Sequence, residues 1–127
     1  PMEKVSQLVA RILLGQIFLI SGFFKMTGYE GTQGYMEAMG VPGVLLSLVI
    51  LLEVGGGLAI IAGWQTRWIA FLLAVFTVAA GVIFHSNFAD QIQMIMFMKN
   101  LAIAGGFLLL AVHGAGGFSL DARRSKI

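Results

Sequence analysis

Cysteine is absent from this 127-residue chain. Disulfides, thiolate nucleophiles and cysteine-ligated metal or iron–sulfur centres are therefore excluded. Any redox role has to draw on a bound, non-covalent cofactor or on a partner protein. Charge is scarce too: 11% of residues are Asp, Glu, Lys or Arg, against about a quarter in soluble domains. A soluble domain of this size needs more charge to coat its surface, whereas a bilayer removes that need. The same scarcity excludes nucleic acid as a partner. No nucleophile–base constellation is present. The glycine runs Gly55–Gly57 and Gly114–Gly117 follow no expected strand, so they are not a nucleotide fingerprint. The chain is not expected to be an enzyme on its own.

What the sequence does hold is apolar: 58% of residues are hydrophobic and 17 are glycine. They fall into four blocks, about Val5–Met26, Val44–Ala62, Trp68–Phe84 and Ile92–Val112. Roughly 20 apolar residues, rising 1.5 Å each, cross a hydrocarbon core of about 30 Å. Backbone polar groups in lipid must bond within their own segment, and these runs are too long and too continuously apolar for barrel strands. The expectation is an all-α, antiparallel four-helix bundle in a bacterial inner membrane, one domain over residues 1–127. High glycine content suits helices that pack closely in lipid. The opening Pro1-Met2-Glu3-Lys4 reads as a processed end, and the first block, lacking a cleavage site, is expected to persist as a span.

Two connections are short: Gly63 to Arg67, and Ser86 to Gln91, where Ser86 and Asn87 can cap helix ends. The first loop, Thr27 to Gly43, is longer and glycine-rich. Within it Thr32 to Met39 is either a short interfacial helix turning Tyr35, Met36 and Met39 toward apolar material, or a plain surface loop. Four spans place the N-terminus, the second loop and the C-terminus on one side, with Lys4, Arg67, Arg123, Arg124 and Lys126. The opposite side carries Glu30, Glu37 and Asp90, with Lys25 at a helix edge. Basic residues mark the cytoplasmic side, so both termini are expected inside.

Ionisable groups within spans are costly and point to function by default. Glu53 is nine residues into the second block, near mid-membrane, and Lys99 is seven residues into the fourth. Arg11 lies about two turns in from the terminal side, so Glu53 is expected within reach of Lys99 or Arg11. Arg11, Gly15, Phe18, Gly22 and Lys25 share one helical stripe, as do Glu53 and Gly57, and as do Lys99, Ile103, Gly106, Leu110 and His113. One carboxylate facing up to three cations, Arg11, Lys25 and Lys99, calls for an anionic or carbonyl-bearing guest. Asn100 adds a neutral donor and acceptor. The expected ligand-binding set is Glu53, Lys99, Asn100, Arg11 and Lys25, supported by Gly15, Gly22, Gly57 and His85. Against it stand blander readings: a buried ion network that fixes helix register, a Lys25 that snorkels to the headgroups, and interfacial roles for His85 and His113. Neither histidine has a partner at ligand spacing, so no metal site is expected.

Three stretches carry a family resemblance. They are RILLGQIFLISGFFKMTGYEGTQGYMEAMGVP from Arg11, EVGGGLAIIAGWQTR from Glu53 and QMIMFMKNLAIAGGFLLLAVHGAGGFSLD from Gln93. Their combined pattern resembles the DoxX family of small bacterial membrane proteins, in family order over nearly the whole chain. The resemblance implies a four-helix inner-membrane protein associated with quinone-linked respiration or thiosulfate oxidation, or a membrane partner of oxidant- or thiol-detoxifying proteins. Without cysteine, a thiosulfate-oxidising role would need a partner subunit. Three functions follow as expectations. The first is an accessory component of a redox system that binds a quinone or similar ligand between the helices. The second is a binder or carrier of a lipid or other amphiphile. The third is a membrane scaffold for a partner protein. The bilayer is the expected environment, with a redox partner protein or a second copy as candidate partners.

Overall fold

The computed structural model describes residues 2–124, which contain no strand. The chain runs through α1 (Met2–Thr27), α2 (Tyr29–Ala38), a 3-10 turn (Gly43–Leu45), α3 (Leu46–Ala62), α4 (Thr66–Phe84), α5 (Gln91–His113) and a short α6 (Leu120–Arg124). Four of these, α1, α3 with its 3-10 turn, α4 and α5, are long and apolar enough to cross a membrane. Lys126, counted above among the basic residues of the termini, lies outside the described residues.

Lipid tails are as apolar as leucine, so helices in a bilayer associate through close packing of small residues. The two tightest pairs are α1 with α3 and α4 with α5. In the first pair the buried residues of α1 are Arg11, Gly15, Phe18 and Gly22, the stripe read from their spacing. A Cβ built on Gly15 would lie 2.8 Å from the Gly57 carbonyl oxygen, and one on Gly57 would lie 2.9 Å from that of Gly15. The two backbones therefore touch. In the second pair Gly81 lets α5 approach, with Asn100 over it at 3.3 Å from an added Cβ.

The apolar core sits in the half of the bundle nearer the termini. Phe18, Ile60, Ala70, Leu73, Ala74, Ala104, Phe107 and Leu110 pack there, and the Phe18 and Phe107 rings meet edge to face at 5.4 Å. Toward the loop end the two helix pairs diverge.

The connections refine the expectations. Helix α4 begins at Thr66, two residues before the expected Trp68. It starts early because the Asp121 carboxylate accepts from the Gln65 and Thr66 backbone N–H groups at 2.8 and 2.9 Å, capping its first turn. The cap of α5 is Asp90, which accepts from the Ile92 N–H at 2.9 Å, in place of Ser86 or Asn87. Of the two readings of the first loop the structure has the helix, ten residues long. Met36 is buried, whereas Tyr35 and Met39 stay about half exposed.

Adding a methyl at Gly57 forces backbone against backbone, whereas Gly55, two residues earlier, faces open space. Gly57→Ala should therefore destabilise the bundle by about 1–3 kcal/mol, while Gly55→Ala should be neutral or slightly stabilising. Thermal unfolding in detergent, followed by circular dichroism, should show a lowered midpoint for the first variant and none for the second.

Candidate functional site

Where the helix pairs diverge they enclose a cavity of about 350 Å³. All four spans and α2 line it. Phe18 and Phe76 form its floor, and Thr32, Tyr35 and Met36 of α2 cover its loop end. The walls are mainly apolar. The polar groups of the spans are Ser21, Lys25, Glu53, Thr77, His85 and Asn100, and α2 adds Thr32 and Tyr35. Small-molecule sites have this character: apolar, roughly 300–1,000 Å³, with a few placed polar groups.

The α1–α3 wall carries the charge. Lys25 Nζ donates to Glu53 Oε1 at 2.7 Å, with the side chains 30% and 5% exposed. Gly22 makes this pair possible. A Cβ there would stand 3.2 Å from Glu53 Cβ, so the helices are in contact at the level of the acid. Lys25 lies about one turn nearer the loop end. Its ammonium thus reaches inward to the carboxylate and does not snorkel outward. The ammonium has three N–H groups and gives one to Glu53. Among the described residues the other two have no partner, and neither has Glu53 Oε2.

The α4–α5 wall is neutral. Asn100 Nδ2 donates to the Thr77 carbonyl at 3.1 Å, and Thr77 Oγ1 donates to Leu73 O at 2.6 Å. The Asn100 amide oxygen accepts no hydrogen bond among the described residues. His85, at the end of α4, is half-buried at the cavity rim.

Two of the sequence-derived candidates stand elsewhere. Lys99 is exposed on the outer face of α5 and does not line the cavity. Successive helical residues are about 100° apart, so Lys99 and Asn100 cannot both face inward. Burial of Ala104, Phe107 and Leu110 turns α5 so that Asn100 does. Of the expected stripe, Leu110 is buried, Ile103 lines the cavity and Gly106 packs under Leu14, whereas Lys99 and His113, at its two ends, are exposed.

Arg11 lies at the terminal end, far along α1 from the cavity, and is 0% exposed. Its guanidinium donates to the Ile60 and Ile61 carbonyls at 3.4 and 3.1 Å, and to the Phe118 carbonyl. Ile60 and Ile61 are among the last residues of α3, where carbonyls run short of intrahelical partners; the Ile60 carbonyl also accepts from the Gly63 cap N–H at 3.2 Å. Arg11 therefore caps α3 and ties the C-terminal segment to it. This clamp was not foreseen from the sequence. The signal was present in the Phe118-Ser119-Leu120-Asp121 run, which follows the last span and contains the acid that caps α4.

With Lys99 outside and Arg11 at the other end, the expected excess of cations around Glu53 is not there. The cavity holds one carboxylate and one ammonium, with the His85 imidazole at its rim. Gly15 and Gly57 serve the site indirectly, by setting the α1–α3 contact, and Gly22 does so directly. No group of His, Asp or Glu side chains that could hold a metal ion occurs among the described residues.

Residues 6–86 match the model of the DoxX family. The chain belongs to the DoxX family. It is 57% identical to the Escherichia coli inner membrane protein YqjF over 125 residues, covering 98% of this chain and 96% of that one. It is 42% identical to the E. coli inner membrane protein YphA, over 95% and 91% of the two chains. A Bacillus subtilis relative named "Putative oxidoreductase CatD" is 26% identical, over 84% of each chain. No solved structure matches. This DoxX chain is thus an inner-membrane protein whose exposed apolar surface contacts lipid.

The placements separate two classes of charge. Arg11→Leu should lower the thermal midpoint on the order of 10 °C, because three carbonyls lose a charged donor worth a few kcal/mol in sum, by about 3 kcal/mol or more. Lys99→Leu, on an exposed face, should stay within about 0.5 kcal/mol of the parent. Equal loss in both variants would contradict the placement of Lys99.

Proposed function

We propose that this DoxX protein is the accessory membrane component of a quinone-linked redox or oxidant-detoxification system. Its cavity holds a lipophilic, carbonyl-bearing ligand between the helix pairs. The observation that carries the reading is the Lys25–Glu53 pair, set in a mainly apolar wall with donor and acceptor capacity unused. The oxidoreductase name of the B. subtilis relative agrees with a redox setting.

A quinone head fits the donor set. One carbonyl would accept from a free Lys25 N–H, and a hydroxyl of the reduced form would donate to Glu53 Oε2 or to the Asn100 amide oxygen. When bound, such a cofactor supplies two-electron, two-proton redox chemistry. The chain's own residues bind and orient the head, and Glu53 offers a carboxylate to hold a proton. The mainly apolar walls, with α2 over the loop end, restrict water. Electrons must come from a partner protein, since the chain offers no redox side chain such as cysteine.

Removing one member of a buried pair strands the other, at about 3–5 kcal/mol. The informative variant is therefore the double replacement Lys25→Met with Glu53→Gln, which removes both charges together. Binding of a decyl-tailed benzoquinone to protein in nanodiscs should fall at least tenfold in the double variant, with the thermal midpoint within a few degrees of the parent. Unchanged quinone binding would remove the pair from the site. Retained anionic phospholipid with no quinone binding would point to a lipid binder, and loss of stability alone to a scaffold.

The bias of basic residues to the terminal end supports a cytoplasmic location for both termini. A single cysteine at Ser86 in this cysteine-free chain should react with a membrane-impermeant maleimide from the periplasmic face, and one at Ser6 should not.

A further inference from the structure

We infer that the cavity takes its ligand sideways from the bilayer, through a slot between α1 and α5, and that the ligand is a single-headed amphiphile whose apolar tail stays in that slot. The inference rests on the cavity being the binding site and adds the class of occupant and its route.

The four sides of the bundle are closed to different degrees. Between α1 and α3 the backbones touch at Gly15 and Gly57, and again at Gly22 beside Glu53 and Val54. Between α4 and α5 the contact at Gly81 and Asn100 lies level with the cavity itself. Between α3 and α4, Leu73 packs over Gly56 in the terminal half, and near the loop end Tyr35 of α2 stacks on Phe84 at 5.5 Å. The loop end is covered by α2, with Met36 buried and the Tyr29 hydroxyl 2.8 Å from that of Ser47.

The fourth side differs. Helices α1 and α5 meet only slightly. Their contacts are Leu14 over Gly106 and Phe18 against Phe107, both on the terminal side of the cavity. From Phe18 to Lys25 is seven residues, or about 10 Å of helix. Along that length Ile17, Ser21 and Lys25 face Met96, Asn100 and Ile103 across the cavity, with no aromatic or glycine contact joining the two helices. At the edges of the slot, Ile17 and Met96 line the cavity and are also 40% and 41% exposed. Tyr35 also lines the cavity and is 49% exposed, but it lies at the loop end with its ring stacked on Phe84; among the lining residues of the spans, Ile17 and Met96 are the exposed ones and mark where cavity and lipid-facing surface connect.

The chemistry of the slot agrees with its position. Its edges are an isoleucine and a methionine, and methionine adapts to irregular apolar guests. The ion pair lies further inside. A polar head lodged at Lys25 and Glu53 would leave a tail pointing past Ile17 and Met96 into hydrocarbon, where it needs no pocket of its own. A cavity of about 350 Å³ is ample for a ring-sized head and too small for a long chain as well.

The absence of native cysteine permits a direct test. Ile17→Cys with Met96→Cys places one thiol on each edge, at positions whose exposure tolerates the change. A flexible bis-maleimide then bridges the slot, obstructing a tail held there while a bare ring can still pass beside the tether. Two benzoquinones with the same head are compared, one with a decyl tail and one with none, in bridged protein and in protein whose two thiols are capped singly with N-ethylmaleimide so that they cannot add to the quinone ring. The expected result is at least a tenfold loss of the tailed probe on bridging, with the tail-less probe changed less than twofold and the thermal midpoint not lowered. Equal binding of the tailed probe before and after bridging would overturn the lateral route while leaving the cavity intact. Failure of the unbridged protein to bind either probe would overturn the cavity reading, and the route with it. Ile17→Trp, which narrows the slot without crosslinking, should weaken the tailed probe selectively. No selectivity there would also count against the route.

Discussion

A carboxylate near the middle of a bilayer has to be neutralised where it lies. An unpaired charge at the centre of a span opposes insertion by about 2.5–3.5 kcal/mol on biological scales. Here the compensation is a single lysine, 2.7 Å from Glu53. That distance is reachable only because α1 and α3 approach to backbone contact through Gly15, Gly22 and Gly57. Much of the architecture follows. The α4–α5 pair docks on the α1–α3 pair through the apolar core of the terminal half. Beyond that core the pairs part, and the space between them becomes the cavity.

The cavity therefore has two unlike walls. Charge lies on the α1–α3 side, and neutral hydrogen-bonding groups, Asn100 and Thr77, lie on the α4–α5 side. A head group between them meets a strong donor and an acceptor from one wall and an amide from the other. Because acid and base are matched, the site offers polarity without net charge.

Much of the fold was legible in the sequence because the bilayer imposes simple rules. Four long apolar blocks correspond to four span-length helices, and the Arg11–Lys25 stripe emerges as the inner face of α1. The site was legible only in part. Lys25, Glu53 and Asn100 come together, and His85 joins them at the rim. Lys99 does not, because an almost uniformly apolar helix such as α5 carries no strong mark of which face turns inward, and a rotation of one residue exchanges Lys99 for Asn100. Arg11 illustrates a different limit. Its acceptors are backbone carbonyls near residues 60 and 118, and carbonyls are carried by every residue alike. Sequence identifies a buried arginine, yet nothing in the side-chain pattern names its partners.

The Arg11 clamp has a consequence for how the protein is made. Synthesis runs from the N-terminus, so α1 enters the membrane carrying a guanidinium whose acceptors do not yet exist. Two of them arrive with the end of α3, and the Phe118 carbonyl emerges only after the last span has been translated. Assembly thus closes with a latch. A chain cut short before Phe118 would hold all four spans and still leave its first helix incompletely satisfied, a built-in mark that distinguishes finished molecules from truncated ones.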